Sequence, residues 1–159
     1  MAHQTFNLAV LFADIAGSSS FYKQHGDQTA KLAVDNIIGR LRSETERHRG
    51  RVIKTIGDEI MACFPDVDDA CMAAMAMQRN MQSEADMSVK IGVHCGLCLV
   101  DGEDIFGEVV NDAAALVRIA RAEQIVLSEA LVSDALEPVQ NKARAFDRVK
   151  FKGSTVAQT

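Results

Sequence analysis

The sequence predicts a single α+β domain, residues 1–159, in which a βαββαβ core is followed by additions at the C-terminal end. Three patterns support this prediction. A near-continuous apolar run lies close to the N-terminus, two later segments carry apolar residues at helical spacing, and two short apolar runs are joined by a tight turn. With 159 residues, 48% of them hydrophobic and 25% charged, the chain has the size and composition of one globular domain with a proper core.

The first strand and the helix after it follow from these patterns. Residues 6–13, FNLAVLFA, form the apolar run, as expected of a central strand. Ser18 to Ser20 can cap the following helix, and Gly50 can end it as a left-handed C-cap. Helical spacing predicts that the buried face of this helix contains Val34, Ile37, Ile38 and Leu41.

A hairpin and a second helix come next. Residues 51–55 and 59–64 are short strands joined by Ile56-Gly57-Asp58, which places Asp58 at the hairpin tip. Asp66 can cap the second helix. The side of this helix that packs on the sheet is predicted to contain Ala70, Ala73, Ala74, Met77 and Met81.

The remaining segments complete the core and add to it. Residues 88–100 predict a fourth strand, and a helix follows with Ala113, Ala114, Leu116 and Val117. The additions are a short strand, QIVLS, a short helix over 129–135 and a late strand over 145–151. The order is the split βαβ arrangement of a ferredoxin-like domain.

Composition and charge disfavour several classes of function. The net charge is −5 and there is no basic run, so nucleic-acid binding is disfavoured. No apolar run reaches the length of a membrane span, and the N-terminal MAHQTFN lacks the regions of a signal peptide. The expectation is therefore a cytoplasmic protein with no membrane partner.

The cysteine pattern does not predict a zinc or redox site. Cys95 and Cys98 form a C-x-x-C, but they lie within a predicted strand, where residues three apart point to opposite faces. A zinc site would need two further ligands. We interpret Cys63, Cys71, Cys95 and Cys98 as buried structural thiols, and His94 as a packed strand residue.

Two aspartates are the strongest candidates for function. Asp14, in LFADIAGSS, and Asp58, in KTIGDEIMACF, each lie at a tight turn beside an apolar strand. Two carboxylates at neighbouring strand tips can hold divalent metal ions, and paired metals are an established way to act on a phosphorylated substrate. Each aspartate alone has the simpler interpretation of a turn residue beside glycine.

Taken together, the motifs resemble the catalytic domain of class III nucleotidyl (adenylate and guanylate) cyclases. The motifs are LFADIAGSS, GRVIKTIGDEIMACF, VKIGVHCG, DIFGEVVNDAA and QIVLSE, in this order, and the resemblance extends from about Leu8 to Gly153. It implies a ferredoxin-like core, a head-to-tail dimer with active sites at the interface, and conversion of a nucleoside triphosphate to a 3′,5′-cyclic monophosphate and pyrophosphate.

The resemblance also implies roles for residues of a metal-binding half. Asp14 and Asp58, assisted by the backbone carbonyl of Ile15, match the ligands of two divalent metal ions, Mg²⁺ or Mn²⁺. Bound metals activate the ribose 3′-hydroxyl and offset charge on the leaving pyrophosphate. Gly17 and Ser18 match small residues whose backbone N–H groups approach the phosphates.

A second set of residues matches the half that reads the base and orients the substrate. Lys54 and Asp104 match a base-reading pair, Asn111 the residue that orients the ribose, and Lys152 a late phosphate-contacting lysine. A Lys donor with an Asp acceptor fits the edge of adenine and mismatches guanine, so ATP is the favoured substrate. The simpler interpretations are a solvated strand lysine, a turn carboxylate and a surface lysine.

One position departs from the pattern. The family motif V-N-x-A-A-R-L has an arginine four residues after the asparagine, and this chain, with VVNDAAALVR, has Ala115 there. Loss of such a preorganised cation typically costs on the order of 10² to 10³ in rate. Arg118, one turn further on, is a possible substitute; an exposed helix arginine is the alternative interpretation.

Two hypotheses of function follow. The first is an adenylate cyclase, slowed by Ala115, in which one subunit of a homodimer supplies Asp14 and Asp58 and its partner the base-reading half. The second is a cyclase-like module that binds nucleotide or serves dimerisation or regulation without turnover. The partner is a second copy or a homologous cyclase domain that carries the missing arginine. A guanylate cyclase is disfavoured by Lys54 and Asp104.

Overall fold

The computed structural model describes residues 4–142 and 156–158. Over these ranges it contains helices and strands in the order β1 (Gln4–Ala16), α1 (Ser18–His25), α2 (Asp27–Arg47), β2 (Arg51–Ile56), β3 (Glu59–Phe64), α3 (Val67–Met81), β4 (Ser88–Asp101), β5 (Asp104–Phe106), α4 (Glu108–Ile119), β6 (Ile125–Ser128), α5 (Glu129–Asp134), α6 (Glu137–Lys142) and β7 (Val156–Gln158).

The strands form one mixed sheet in the order β2-β3-β1-β4-β6-β7, with β5 paired to β4. β1 lies antiparallel between β3 and β4, and β4 runs parallel to β6. The order β2-β3-β1-β4 is that of a ferredoxin-like core, so the predicted α+β fold with C-terminal additions is confirmed.

The sheet separates two apolar clusters, and this explains the near-continuous apolar run of β1. Leu11 and Ala13 pack beneath α2 and α3, whereas Val10 and Phe12 pack beneath α4. The predicted helix faces are buried in these clusters, apart from the half-buried Ile38 and Ala114 and from Leu116, which is buried in a small third cluster with Ala120 and Val126. Cys95 and Cys98 lie in opposite clusters, as their strand spacing predicted, and all four cysteines are buried and unpaired.

The prediction of one helix after β1 is wrong. Gly26, with φ 82° and ψ 166°, divides the segment into α1 and α2. The predicted serine cap is also wrong, since α1 begins at Ser18 after a left-handed Gly17, and no side chain caps it.

At the end of α2, the left-handed residue is Arg49 and not the predicted Gly50. Arg49 has φ 65°, its N–H donates to the carbonyl of Glu46, and the N–H of Gly50 donates to the carbonyl of Thr45. This is a Schellman motif in which Gly50 lies one position beyond the left-handed residue. Gly50 is required for packing instead, because a Cβ there would lie 2.3 Å from the ring of Phe64.

The C-terminal region is described in part. The short helix α5 is confirmed, and α6 was not predicted. The predicted strand over 145–151 and Lys152 lie outside the described residues. Within those residues, no helix has the length and apolarity that crossing a membrane would require.

Candidate active site

Asp14 and Asp58 lie together at one end of the sheet. Asp14 is near the end of β1, and Asp58 is in the turn between β2 and β3, where Gly57 adopts φ 61°. The backbone N–H of Ile15 donates to the carbonyl of Asp58 at 3.1 Å, which ties the turn to the strand end. Burial and the nearby Asp58 carboxylate raise the pKa of Asp14. The structure therefore brings the two predicted carboxylates within electrostatic range of each other.

The small residues after β1 support this turn. The buried Ser18 donates its hydroxyl to the Asp58 carboxylate instead of capping α1. Gly17 has φ 92°, and a Cβ at this position would lie 2.8 Å from the backbone oxygen of Asp86. Glycine is therefore needed here both for its conformation and for the close approach of another segment.

Two charged residues that the sequence analysis missed flank Asp14. Glu59 on β3 and Lys90 on β4 are its partners across the sheet, and Lys90 Nζ lies 3.9 Å from Asp14 Oδ2. Burial, with the charges of Asp14 and Asp58, raises the pKa of Glu59 to about 7, and the Arg118 and Lys90 cations partly oppose this shift. The sequence did contain a signal for Glu59. This residue directly follows Asp58 and is the first residue of the strand after the predicted turn.

The residues at this end of the sheet suit a hard divalent cation. Carboxylates and a backbone carbonyl are the ligands that Mg²⁺ and Mn²⁺ prefer. Burial and the Asp58 carboxylate raise the pKa of Asp14, and the Lys90 cation opposes this shift without cancelling it. Within residues 4–142 and 156–158, no group of three or more His, Cys, Asp or Glu side chains is arranged to hold a metal ion. Two carboxylates completed by phosphate oxygens of a substrate are the usual arrangement for Mg²⁺.

Lys54 and Asp104 form a hydrogen-bonded ion pair. Lys54, on β2, donates from Nζ to Asp104 Oδ2 at 3.0 Å, although the two are 50 positions apart in sequence. The other Asp104 oxygen accepts from the N–H of Ile105 at 2.8 Å. The hydrogen bond from Lys54 lowers the pKa of Asp104. Both side chains remain partly exposed, so a donor and an acceptor are presented side by side.

Helix α4 carries the remaining described site residues. Asn111 is exposed one turn after the helix begins, Ala115 is half-buried, and Arg118 is exposed near the helix C-terminus. These positions, four and three apart, share one side of the helix. The charge of Arg118 reaches Glu59 of the same chain, at the end of the sheet that holds Asp14 and Asp58.

A buried polar chain fixes α4 to the sheet. His94 Nδ1 lies 2.6 Å from Ser128 Oγ, and its Nε2 lies 3.9 Å from Asp112 Oδ2 on α4. Ser128 Oγ also accepts from the N–H of Leu131 and so caps α5. Burial lowers the pKa of His94, and the Asp112 carboxylate opposes this shift. These contacts agree with the interpretation of His94 as a packed strand residue.

A sequence model of the adenylate and guanylate cyclase catalytic domain matches residues 1–159. A putative adenylate cyclase 3 of Rhizobium meliloti is 27% identical over 130 residues, which are 77% of this chain and 22% of that protein. A germination-specific adenylate cyclase of Dictyostelium discoideum is 28% identical over 151 residues, 81% of this chain and 18% of that protein. The chain thus spans about a fifth of the length of these two relatives.

Solved structures agree on the fold. The adenylyl cyclase CyaB from P. aeruginosa superposes with a TM-score of 0.85 at 19% identity, covering 99% of this chain and 95% of that one. The catalytic core of a rhodopsin-guanylyl cyclase with converted specificity, solved in complex with ATPαS, also gives a TM-score of 0.85, at 17% identity, covering 99% and 97%.

Proposed function

Because the chain belongs to the adenylate and guanylate cyclase catalytic-domain family, we propose that it converts ATP to 3′,5′-cyclic AMP and pyrophosphate. The observation that carries the choice of ATP is the Lys54–Asp104 pair, which presents a donor and an acceptor side by side. Relatives named as adenylate cyclases support the same choice.

Base recognition follows from the chemistry of this pair. Adenine offers a ring-nitrogen acceptor and an exocyclic amino donor on one edge. The Lys54 ammonium donates to the ring nitrogen, and the Asp104 carboxylate accepts from the amino group. Guanine presents a carbonyl and a ring N–H at the same edge, which would leave polar groups of the site mispaired and GTP rejected.

The phosphate half is built on Asp14 and Asp58. Together with the carbonyl of Ile15, these carboxylates hold two divalent cations, Mg²⁺ or Mn²⁺. When bound, the cations supply activation of the ribose 3′-hydroxyl and neutralisation of phosphate charge. The backbone N–H groups of Gly17 and Ser18 approach the phosphates at the start of α1.

The two halves belong to different subunits of a head-to-tail homodimer. One subunit contributes Asp14 and Asp58, and the partner contributes Lys54, Asp104, Asn111 and Lys152. Asn111 orients the ribose, and Lys152 contacts the phosphates. The exposure of Lys54 and Asn111 supports this arrangement, because both side chains remain available to a substrate held between two subunits. A homologous cyclase domain could replace the second copy.

We also propose a cytoplasmic location, where ATP is abundant. Four buried, unpaired cysteines support this location, since thiols persist in a reducing compartment.

The test is product formation by the purified chain. Incubation with ATP and either Mn²⁺ or Mg²⁺ is expected to release cyclic AMP and pyrophosphate, and Asp14→Ala is expected to abolish both. The oligomeric state is measured on the same sample by light scattering. Product no higher than that of the Asp14→Ala control, with either metal, contradicts the proposal.

A second candidate is a module that binds ATP without turnover, and Ala115 is the observation that favours it. This candidate predicts ATP binding by calorimetry with no cyclic product. Ala115→Arg tests whether the site lacks only its transition-state cation. A gain in turnover of several tens-fold or more means that this cation was the missing part of the site.

A further inference from the structure

Arg118 lies toward the metal-binding half of its own chain. The C-terminal turn of α4 packs directly on β4, where a Cβ at Gly92 would lie 2.5 Å from the backbone nitrogen of Val117. Arg118 is the next residue. Gly92 is paired with Phe12, and the next residues on that face of the two strands are Lys90 and Asp14. The end of α4 is therefore one step along the sheet from Asp14.

The charges agree with this placement. On the third strand, β3, Glu59 is the partner of Asp14. Lys90, Asp14 and Glu59 therefore form one row across β4, β1 and β3. The Arg118 guanidinium is close enough to the Glu59 carboxylate of the same chain for a coulombic interaction. The guanidinium thus lies within electrostatic range of the carboxylates proposed to hold the phosphate-bound cations.

The position of Arg118 on the helix separates it from Asn111. Seven residues correspond to roughly 10 Å along the helix axis, whereas the family position at 115 is roughly 6 Å from Asn111. An arginine at position 115 can act on the same substrate as Asn111. Arg118 is displaced away from Asn111, toward the row that contains Asp14.

We propose that Arg118 is a catalytic residue that acts in cis, at the site built on Asp14 and Asp58 of its own chain, and not at the site that its own Asn111 completes.

The inference rests on the proposed function. In that reaction the ribose 3′-oxygen bonds to the α-phosphorus as the bond from that phosphorus to the pyrophosphate oxygen breaks. The 3′ proton passes to solvent. Arg118 donates N–H groups to the departing pyrophosphate and stabilises its charge.

Mixed dimers distinguish cis from trans action. A heterodimer of Asp14→Ala and Asn111→Ala chains contains one intact site, because the wild-type Asp14 and Asn111 come from different chains. Random mixing of equal amounts is therefore expected to restore about one quarter of wild-type turnover. This mixture is the control for the head-to-tail arrangement.

Two further mixtures test whether Arg118 acts in cis. On its own, the Arg118→Ala variant is expected to lower turnover on the order of 10²-fold. If Arg118 acts in cis, mixing Arg118→Ala with Asn111→Ala leaves one intact site and restores about one quarter of turnover, by the same statistics of a two-site dimer. Mixing Arg118→Ala with Asp14→Ala restores nothing. If Arg118 acts in trans, the two results are exchanged.

The controls separate the possible failures. Arg121→Ala removes an exposed arginine just beyond α4 and is expected to retain wild-type turnover. Circular dichroism and light scattering confirm that each variant folds and dimerises. Exchanged mixing results, or full activity of Arg118→Ala, overturn the inference and leave the proposed function intact. Absence of product from the wild-type chain overturns both.

Discussion

Replacing Gly92 by alanine is expected to destabilise the protein by displacing α4. A Cβ on Gly92 would lie 2.5 Å from the backbone nitrogen of Val117 and 2.9 Å from the Cβ of Leu116. Ordinary van der Waals contact begins at 3.4 Å, so the first distance is short by about 0.9 Å. Two of the neighbouring atoms are backbone, and a side-chain rotation cannot relieve the contact. The helix itself must shift.

The magnitude follows from overpacking in a close-packed interior. One added methyl group in such a position costs about 1–3 kcal/mol of the free energy of unfolding. For a chain of this length, each kcal/mol lowers Tm by about 2–4 °C. The shift also moves Asn111 and Arg118, which α4 carries, so turnover is expected to fall further than the loss of folded protein explains.

Gly39→Ala is the matched control, because it is the same chemical change with the opposite expected sign. Gly39 is exposed within α2, and a Cβ there meets nothing within 4 Å. Alanine in an exposed helix interior is expected to stabilise by about 1 kcal/mol. Urea denaturation of both variants, followed by circular dichroism, measures the two changes. Equal stability of Gly92→Ala and the wild type would refute the packing argument.

Three other predictions concern recognition, pH and capping. Lys54→Ala and Asp104→Ala should each lower kcat/KM for ATP by about 10-fold or more and reduce the preference for ATP over GTP, measured by product chromatography. Burial lowers the pKa of His94 while Asp112 opposes the shift. As pH falls below about 6.5, the unfolded chain therefore binds a proton that the folded chain does not, and the free energy of unfolding falls. His94→Gln should weaken this pH dependence in urea denaturation between pH 7.5 and 5.5, and an unchanged dependence contradicts the assignment. Asp66 accepts from the N–H of Asp68 at 2.8 Å, so Asp66→Ala should cost about 1 kcal/mol in the same assay, whereas Asp66→Asn should cost much less.

The sequence was sufficient to predict the parts of the fold that follow from local pattern. β1 was recognisable because a central strand is apolar on both faces, and Val10 and Leu11 are both fully buried. The hairpin tip at Asp58 and the cap at Asp66 were recognisable because turns and caps need particular residues at fixed positions. The predicted pair Lys54 and Asp104 came from the family resemblance, since no local pattern joins residues 50 apart.

Features set by packing between distant segments were missed. Lys90 lies beside Asp14 only because β1 and β4 pair in one particular register, which their apolar patterns do not specify to the residue. Gly50 was predicted to be left-handed because glycine usually occupies that position. In the structure Arg49 adopts that conformation, and glycine is required one residue later by the ring of Phe64.

The two functional candidates, a cyclase and a module that binds ATP without turnover, differ in whether the side of α4 that contains Ala115 supports catalysis. The Lys54–Asp104 pair and the two aspartates, which are proposed to bind the base and the metal ions, lie on strands and turns and do not depend on the residue at position 115. Binding and turnover should therefore be separable. An interaction made only in the transition state changes kcat and leaves the binding of the ground state unaltered. Ala115→Arg is accordingly expected to raise kcat while the dissociation constant for ATP stays near that of the wild type. A variant that changed only the affinity would show that this side of α4 contacts the nucleotide before the transition state, and the argument from Ala115 would then fail.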